Sequence, residues 1–144
     1  MAFLLKANSI SAMSILELPT RTPTEQIEAL EKGLPSSALN EVSRAVKLPK
    51  ATLILALRFA PRTVTQREHT KARFTLVESE RLLRVLRLRT ILREVFTTDD
   101  AVAEWLSSPD RSLGGKNPLA LLATDVGAAK VENLARAMVH GVPI

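Results

Sequence analysis

Residues 112–122, SLGGKNPLALL, set two glycines and a lysine directly ahead of a helix-like run, the ingredients of a phosphate cradle. A Walker A loop needs more: a glycine five residues before the Gly-Lys pair, so that backbone N–H groups wrap the phosphates, and a hydroxyl after the lysine to hold magnesium. Asp110 occupies the first of those positions and Asn117 the second, and no strand pattern precedes them. The spacing favours a plain bend, in which Gly114 and Gly115 supply positive φ before a helix opened by Pro118. Other catalytic chemistry is equally hard to assemble. The chain has no cysteine and two histidines, His69 and His140. That removes thiolate nucleophiles, disulfides and thiolate zinc sites, and leaves too few imidazoles for a histidine cage. No nucleophile and base, metal-ligand cluster or nucleotide loop can be composed from the rest. The expectation is a protein that is not an enzyme and needs no cofactor and no metal.

What the sequence offers instead is concentrated charge. Its net +5 is uneven: residues 56–93 hold ten arginines or lysines against three glutamates, whereas residues 94–144 hold four basic and seven acidic side chains. The central block is where a polyanion would dock, and the acidic end is where it would not. At 46% hydrophobic, 144 residues fill one ordinary core or two small helical units sharing a boundary. The opening MAFLLKANSISAMSILELP lacks a basic start before its apolar residues and is interrupted by Lys6, Asn8 and Glu17. Neither a signal peptide nor a membrane span is expected, and a cytoplasmic location is.

The elements that must position this charge are helices. Aromatics are few, Asn-Gly and Asp-Gly turns are missing, and sustained alternation is confined to the N-terminal tail. Thr22 or Thr24 can cap a helix through Ile27 and Leu30 to Lys32, stopped at Gly33. Ser36 or Ser37 opens a second, with Leu39, Val42 and Val46 at helical spacing and Pro49 ending it. ATLILALRF, a break at Ala60-Pro61 and RTVTQREHTKA form a minimal helix-turn-helix. Thr75 and Glu78 spell a capping box that starts a long helix to about Phe96. Its leucines fall on two sides, so it packs against neighbours twice. TTDD, residues 97–100, caps a helix through Val102 and Trp105 that Pro109 stops; after Pro118 come PLALLAT and a final helix, AAKVENLARAMVH, ending at Gly141. The fold class expected is all-α. Residues 1–20 form a tail that need not be ordered, 21–74 a helix-turn-helix unit, 75–96 a connecting helix and 97–144 a small C-terminal helical unit.

Residues 105–142 resemble the toxin-binding domain of Xre/MbcA/ParS-type antitoxins. The resemblance rests on Trp105-Leu106, Pro109, Leu113-Gly114-Gly115, Pro118-Leu119, Leu122, Asp125, Gly127, the Val131 and Leu134 stripe, and His140-Gly141-Val142. Upstream, GLPSSALNEV, APRTVTQRE and ERLLRVLRL are similar to that family's Xre-like helix-turn-helix, so the likeness spans roughly residues 33–142. It implies an antitoxin of a two-gene system that represses its own operon. Its implied protein partner is a RES-domain toxin that degrades NAD⁺, inhibited by a cover placed over its active site. In such proteins the last residues lie near the toxin's catalytic cleft; Pro143-Ile144 departs from the small or aromatic ending of the family. A stand-alone DNA-binding regulator without a toxin is the alternative.

Two surfaces follow. On the recognition helix, residues 62–72, Arg62, Thr63, Gln66 and Arg67 are candidates for base edges, Val64 points inward, and Lys71 and Arg73 are placed for phosphates of double-stranded operator DNA. The competing reading is a solvated charged face. For the toxin, the resemblance points to Leu113 projecting from the Gly114-Gly115 bend, with Lys116, Leu119, Arg136, His140, Gly141, Val142 and Ile144 around it; His140 can equally serve the helix dipole. Trp105 and Met138 are expected in the core. Arg81, Arg84, Arg87, Arg89 and Arg93 surround the long helix and are expected to bridge packed elements. Palindromic operators favour a homodimer, for which the two-sided helix 76–96 is one candidate interface, burial within the chain being the other explanation.

Overall fold

A computed structural model of the chain describes residues 14–141. A 3-10 turn, Ile15–Thr20, leads into α1 (Pro23–Lys32), α2 (Ala38–Val46), α3 (Lys50–Ala56), α4 (Pro61–Thr70), α5 (Leu76–Leu92), α6 (Asp99–Ser107), α7 (Pro118–Leu121) and α8 (Asp125–Val139), with a second 3-10 turn at Arg111–Leu113. Among the described residues the fold is all-helical. No helix among them is long and apolar enough to cross a membrane.

The caps explain most boundaries. Thr22, not Thr24, accepts the Glu25 N–H at 3.2 Å and opens α1. Ser37 precedes α2 without a side-chain cap bond. Thr75 and Glu78 bond each other's backbone N–H groups, at 3.2 and 2.8 Å, completing the capping box of α5. Thr98, Asn117 and Thr124 cap α6, α7 and α8 in the same manner. Asp125 to Gly127 are therefore the first turn of α8. The long helix stops at Leu92 rather than Phe96, because Glu94 and Val95 turn back to the carbonyls of Ile91 and Leu92 in a tighter turn.

One continuous core runs from Ile15 to Ala135, and α5 is its axis. Leu82, Leu83, Val85, Leu86, Leu88 and Leu92 are each at most 1% exposed, and α5 packs against the 3-10 turn, α1, α2 and α8. Its two apolar sides are thus consumed within the chain, which corrects its candidacy as a dimer face; only Leu76 and Val77 in its first turn remain exposed. Residues 14–20, expected in the N-terminal tail, belong to the fold. Ser14 caps the first turn through the Leu16 N–H, and Ile15 and Leu18 are buried against the α5 side of the core. Residues 1–13 lie outside the described chain. Nor does the helix-turn-helix stand apart from the C-terminal helices, since α3 packs on α7 as well as α2.

Gly33 joins the start of this arrangement to its middle. It holds φ +88°, and its missing Cβ leaves room for the Phe74 carbonyl. Around it, the Phe74 N–H donates to the Leu34 carbonyl at 2.9 Å, and the Leu34 N–H donates to the fully buried Ser79 hydroxyl at 2.9 Å.

Candidate functional site

The tight break between α3 and α4 is built by burying alternate residues. Leu57 and Phe59 enter the core, Arg58 between them takes a left-handed φ of +58°, and Pro61 begins α4 with its fixed φ. Val64, 2% exposed, seats α4 as expected. The opposite face is open: Arg62, Thr65, Gln66 and His69 line one shallow groove of about 400 Å³. Arg62 and Gln66 are thus brought together, and Thr65 and His69 join them although the sequence-based selection omitted both. Thr63 is half-buried on the flank.

Arg67 is elsewhere. Its Nε lies 3.0 Å from Glu78 Oε1 and its Nη1 donates to the Arg73 carbonyl at 3.5 Å. It is a strut tying α4 to the cap of α5, which corrects its expected place at base edges. Lys71 and Arg73 are exposed beyond the end of α4; Lys71 terminates the helix with φ +58°, and Arg73 Nη1 donates to the Gly33 carbonyl at 2.8 Å.

The five arginines of α5 and its C-cap bridge elements rather than forming a basic face. Arg81 sits 6.0 Å above the Phe59 ring and donates to the Arg58 carbonyl. Arg84 donates to the Leu122 and Ala123 carbonyls between α7 and α8. Arg87 lies 3.8 Å from Glu132. Arg89 forks onto Asp99 at 3.1 and 3.2 Å while its Nε also reaches the Ala45 carbonyl, and Arg93 adds a third contact to Asp99 at 3.0 Å. Arg89 and the Asp99 carboxylate together thereby tie α2, α5 and the start of α6. Burial pushes the Asp99 carboxyl up, but the hydrogen bonds and charges of Arg89 and Arg93 outweigh it and hold it below its ordinary value. A depressed carboxyl adds stability above its ordinary pKa of about 4 and loses it as pH falls through the lowered value. Asp99→Asn should therefore cost about 1–2 kcal/mol at pH 7. Urea unfolding of both forms should find that gap closing below about pH 4.

The glycine bend proves to be closed on itself. The N–H groups of Leu113 and Gly115 donate to the Asp110 carbonyl, that of Ser112 to the Asp110 carboxylate, and those of Gly114 and Lys116 to the Arg111 and Leu113 carbonyls. The backbone N–H groups of residues 112–116, which a phosphate cradle would need, are thus already used inside the loop. Gly114 and Gly115 take φ +67° and +81°, as the bend requires. The bend drives Leu113 inward, 4% exposed, and Leu119 is 2% exposed. Both are core residues, which corrects the expected projection of Leu113 and the expected partner contact of Leu119. Gly114, Gly115 and Lys116 remain on the surface.

A second open surface in the C-terminal half is the outer stripe of α8 and its end. Val126, Ala129, Asn133, Arg136 and His140 recur at helical spacing and are all exposed, Val126 by 82%. Ala128, Val131, Leu134 and Ala135 form the buried opposite side. Arg136 and His140 are thus brought onto one face, and Gly141 follows it; Val142 and Ile144 lie outside the described residues. Trp105 is half-buried against the core and Met138 is half-buried. Among the described residues no cluster of three or more histidine, aspartate or glutamate side chains could hold a metal ion.

The chain is similar to known proteins over both halves. Residues 25–87 match the antitoxin Xre-like helix-turn-helix domain, and residues 92–141 match the antitoxin Xre/MbcA/ParS C-terminal toxin-binding domain. An antitoxin Xre from Yersinia enterocolitica is 31% identical over 126 residues, covering 87% of this chain and 85% of that protein. An antitoxin Xre from Photorhabdus laumondii is 30% identical over 114 residues, covering 78% and 77%. The fold matches a chain of the MbcT–MbcA toxin–antitoxin complex of M. tuberculosis with a TM-score of 0.59 at 23% identity, over 76% of this chain and 96% of that one. With a helix-turn-helix that presents one open face, and a C-terminal half joined to it through a common core, the chain belongs to the Xre family of antitoxins of toxin–antitoxin systems.

Proposed function

We propose that this antitoxin neutralises a RES-domain toxin by covering its active site with the outer stripe of α8, and represses its own operon by placing α4 in the major groove of operator DNA. The NAD⁺ chemistry belongs to the partner, and the antitoxin contributes binding alone. The observation that carries the reading is the division of exposed side chains. Arg62, Thr65, Gln66 and His69 share the open face of a peripheral helix, while Val126, Asn133, Arg136 and His140 share the open face of a second, in the half that matches a toxin-binding domain. An exposed valine at one end of the stripe is suited to anchor a partner, with Asn133, Arg136 and His140 further along the same face at its polar rim. Two antitoxin chains reading a palindromic operator supply the dimer.

Gel-shift titration with the duplex upstream of the gene tests the DNA arm. Gln66→Ala should cost about 1–3 kcal/mol against the preferred sequence and leave binding to unrelated duplexes intact. Equal weakening for every sequence would show that α4 does not read bases.

A further inference from the structure

Between the start of α2 and the end of α4 lies a cavity of about 470 Å³ whose walls include Ser36, Ser37, Asn40, Glu68, Lys71 and Arg73. Among the described residues its only carboxylate is already matched: Glu68 Oε2 lies 2.6 Å from Lys50 Nζ and also accepts from Asn40 Nδ2 at 3.4 Å. Lys71 and Arg73 therefore bring two uncompensated positive charges to the cavity. The Ser37 hydroxyl is not spent on capping α2. Arg73 is held in place by its bond to the Gly33 carbonyl, which occupies one of its five donors. Lys71 is kept in a left-handed conformation, where glycine would be the unstrained choice for ending the helix. Cations, a free hydroxyl and a neutralised acid in one concave place form a receptor for a tetrahedral oxyanion.

We infer that this cavity is a phosphate site. Two sources share that chemistry, a backbone phosphodiester of bound duplex DNA and a free phosphate group. The first deepens the DNA reading above and rests on it, by fixing α4 against the strand that flanks the groove; the second does not. Lys71→Gly removes the charge while relieving the backbone, so it separates binding from folding. Glu68→Gln frees Lys50 and has the opposite sign.

The test uses the full-length chain with two probes, the duplex upstream of its gene and inorganic phosphate, the latter followed by amide shifts in NMR. For a DNA phosphate, Lys71→Gly keeps or raises the melting temperature and weakens all duplexes by roughly three- to tenfold. The slope of log affinity against log salt becomes shallower by about 1, and Glu68→Gln tightens binding. For a free phosphate, the amides of Ser37, Lys71 and Arg73 shift saturably with inorganic phosphate, the Lys71→Gly protein loses those shifts, and duplex affinity is unchanged. The inference is overturned if Lys71→Gly alters neither the salt slope nor the phosphate response. Sequence preference that still depends on Gln66 would then leave the DNA reading standing. Conversely, saturable phosphate shifts in a protein that binds no duplex keep this site and sink that reading.

Discussion

Gly33→Ala should destabilise the whole chain by about 3 kcal/mol or more, the sum of backbone strain and overpacking that nothing nearby can relieve. A Cβ at this position would stand 2.2 Å from the Phe74 carbonyl oxygen, a backbone atom, and the residue's φ of +88° with ψ 136° is a conformation that side chains rarely adopt. Relief would require moving Phe74, which is 2% exposed, bonds Leu34 through its N–H and packs its ring 6.0 Å from that of Phe59. The loss therefore reaches the helix-turn-helix and the cap of α5 together. Urea unfolding followed by circular dichroism measures it; a single transition displaced to much lower urea is expected, and a shift worth less than about 1 kcal/mol would contradict the packing described.

The second large effect separates core from contact. Leu113→Ala should cost about 2–5 kcal/mol, the usual range for truncating a buried leucine, because Leu113 is 4% exposed inside the core. The folded fraction should still bind toxin with unchanged affinity. Arg136→Glu should do the reverse, leaving the unfolding midpoint within about 0.5 kcal/mol, as exposed substitutions do, while weakening the complex. Calorimetric titration of toxin into each variant, corrected for the folded fraction, decides between them. A loss of affinity confined to Leu113→Ala would place the contact on the bend after all.

Much of this was legible before any coordinates. Period 3.6, the Thr75–Glu78 capping box and the Pro61 and Pro118 starts all mark helices that form, because local bonding fixes them. What the pattern could not supply is which side of each element the rest of the chain would cover. Leu113 reads as a projection when its glycines are viewed alone; only Asp110, by accepting three of the bend's N–H groups, reveals that the loop curls inward. The α5 helix reads as a connector because its burial depends on α1, α2 and α8, which are distant in sequence.

Arg67 was nearer to being decidable. At 100° per residue it sits about 60° from the inward Val64, whereas Arg62, Gln66 and His69 lie about 140–160° away on the far side. A stricter wheel would have set Arg67 aside and admitted His69. Its ion pair with Glu78 needed the fold.

The central claim, that the α8 stripe silences a RES-domain toxin independently of the DNA-reading helix, is tested most directly by cellular NAD⁺. The measurement is made in cells expressing a cognate RES-domain toxin together with each form of the chain. NAD⁺ should remain at the toxin-free level with the wild type and with Arg62→Ala plus Gln66→Ala, and should collapse with Val126→Asp plus Arg136→Glu. Collapse with the wild type, or equal protection by the α8 variant, would contradict the account.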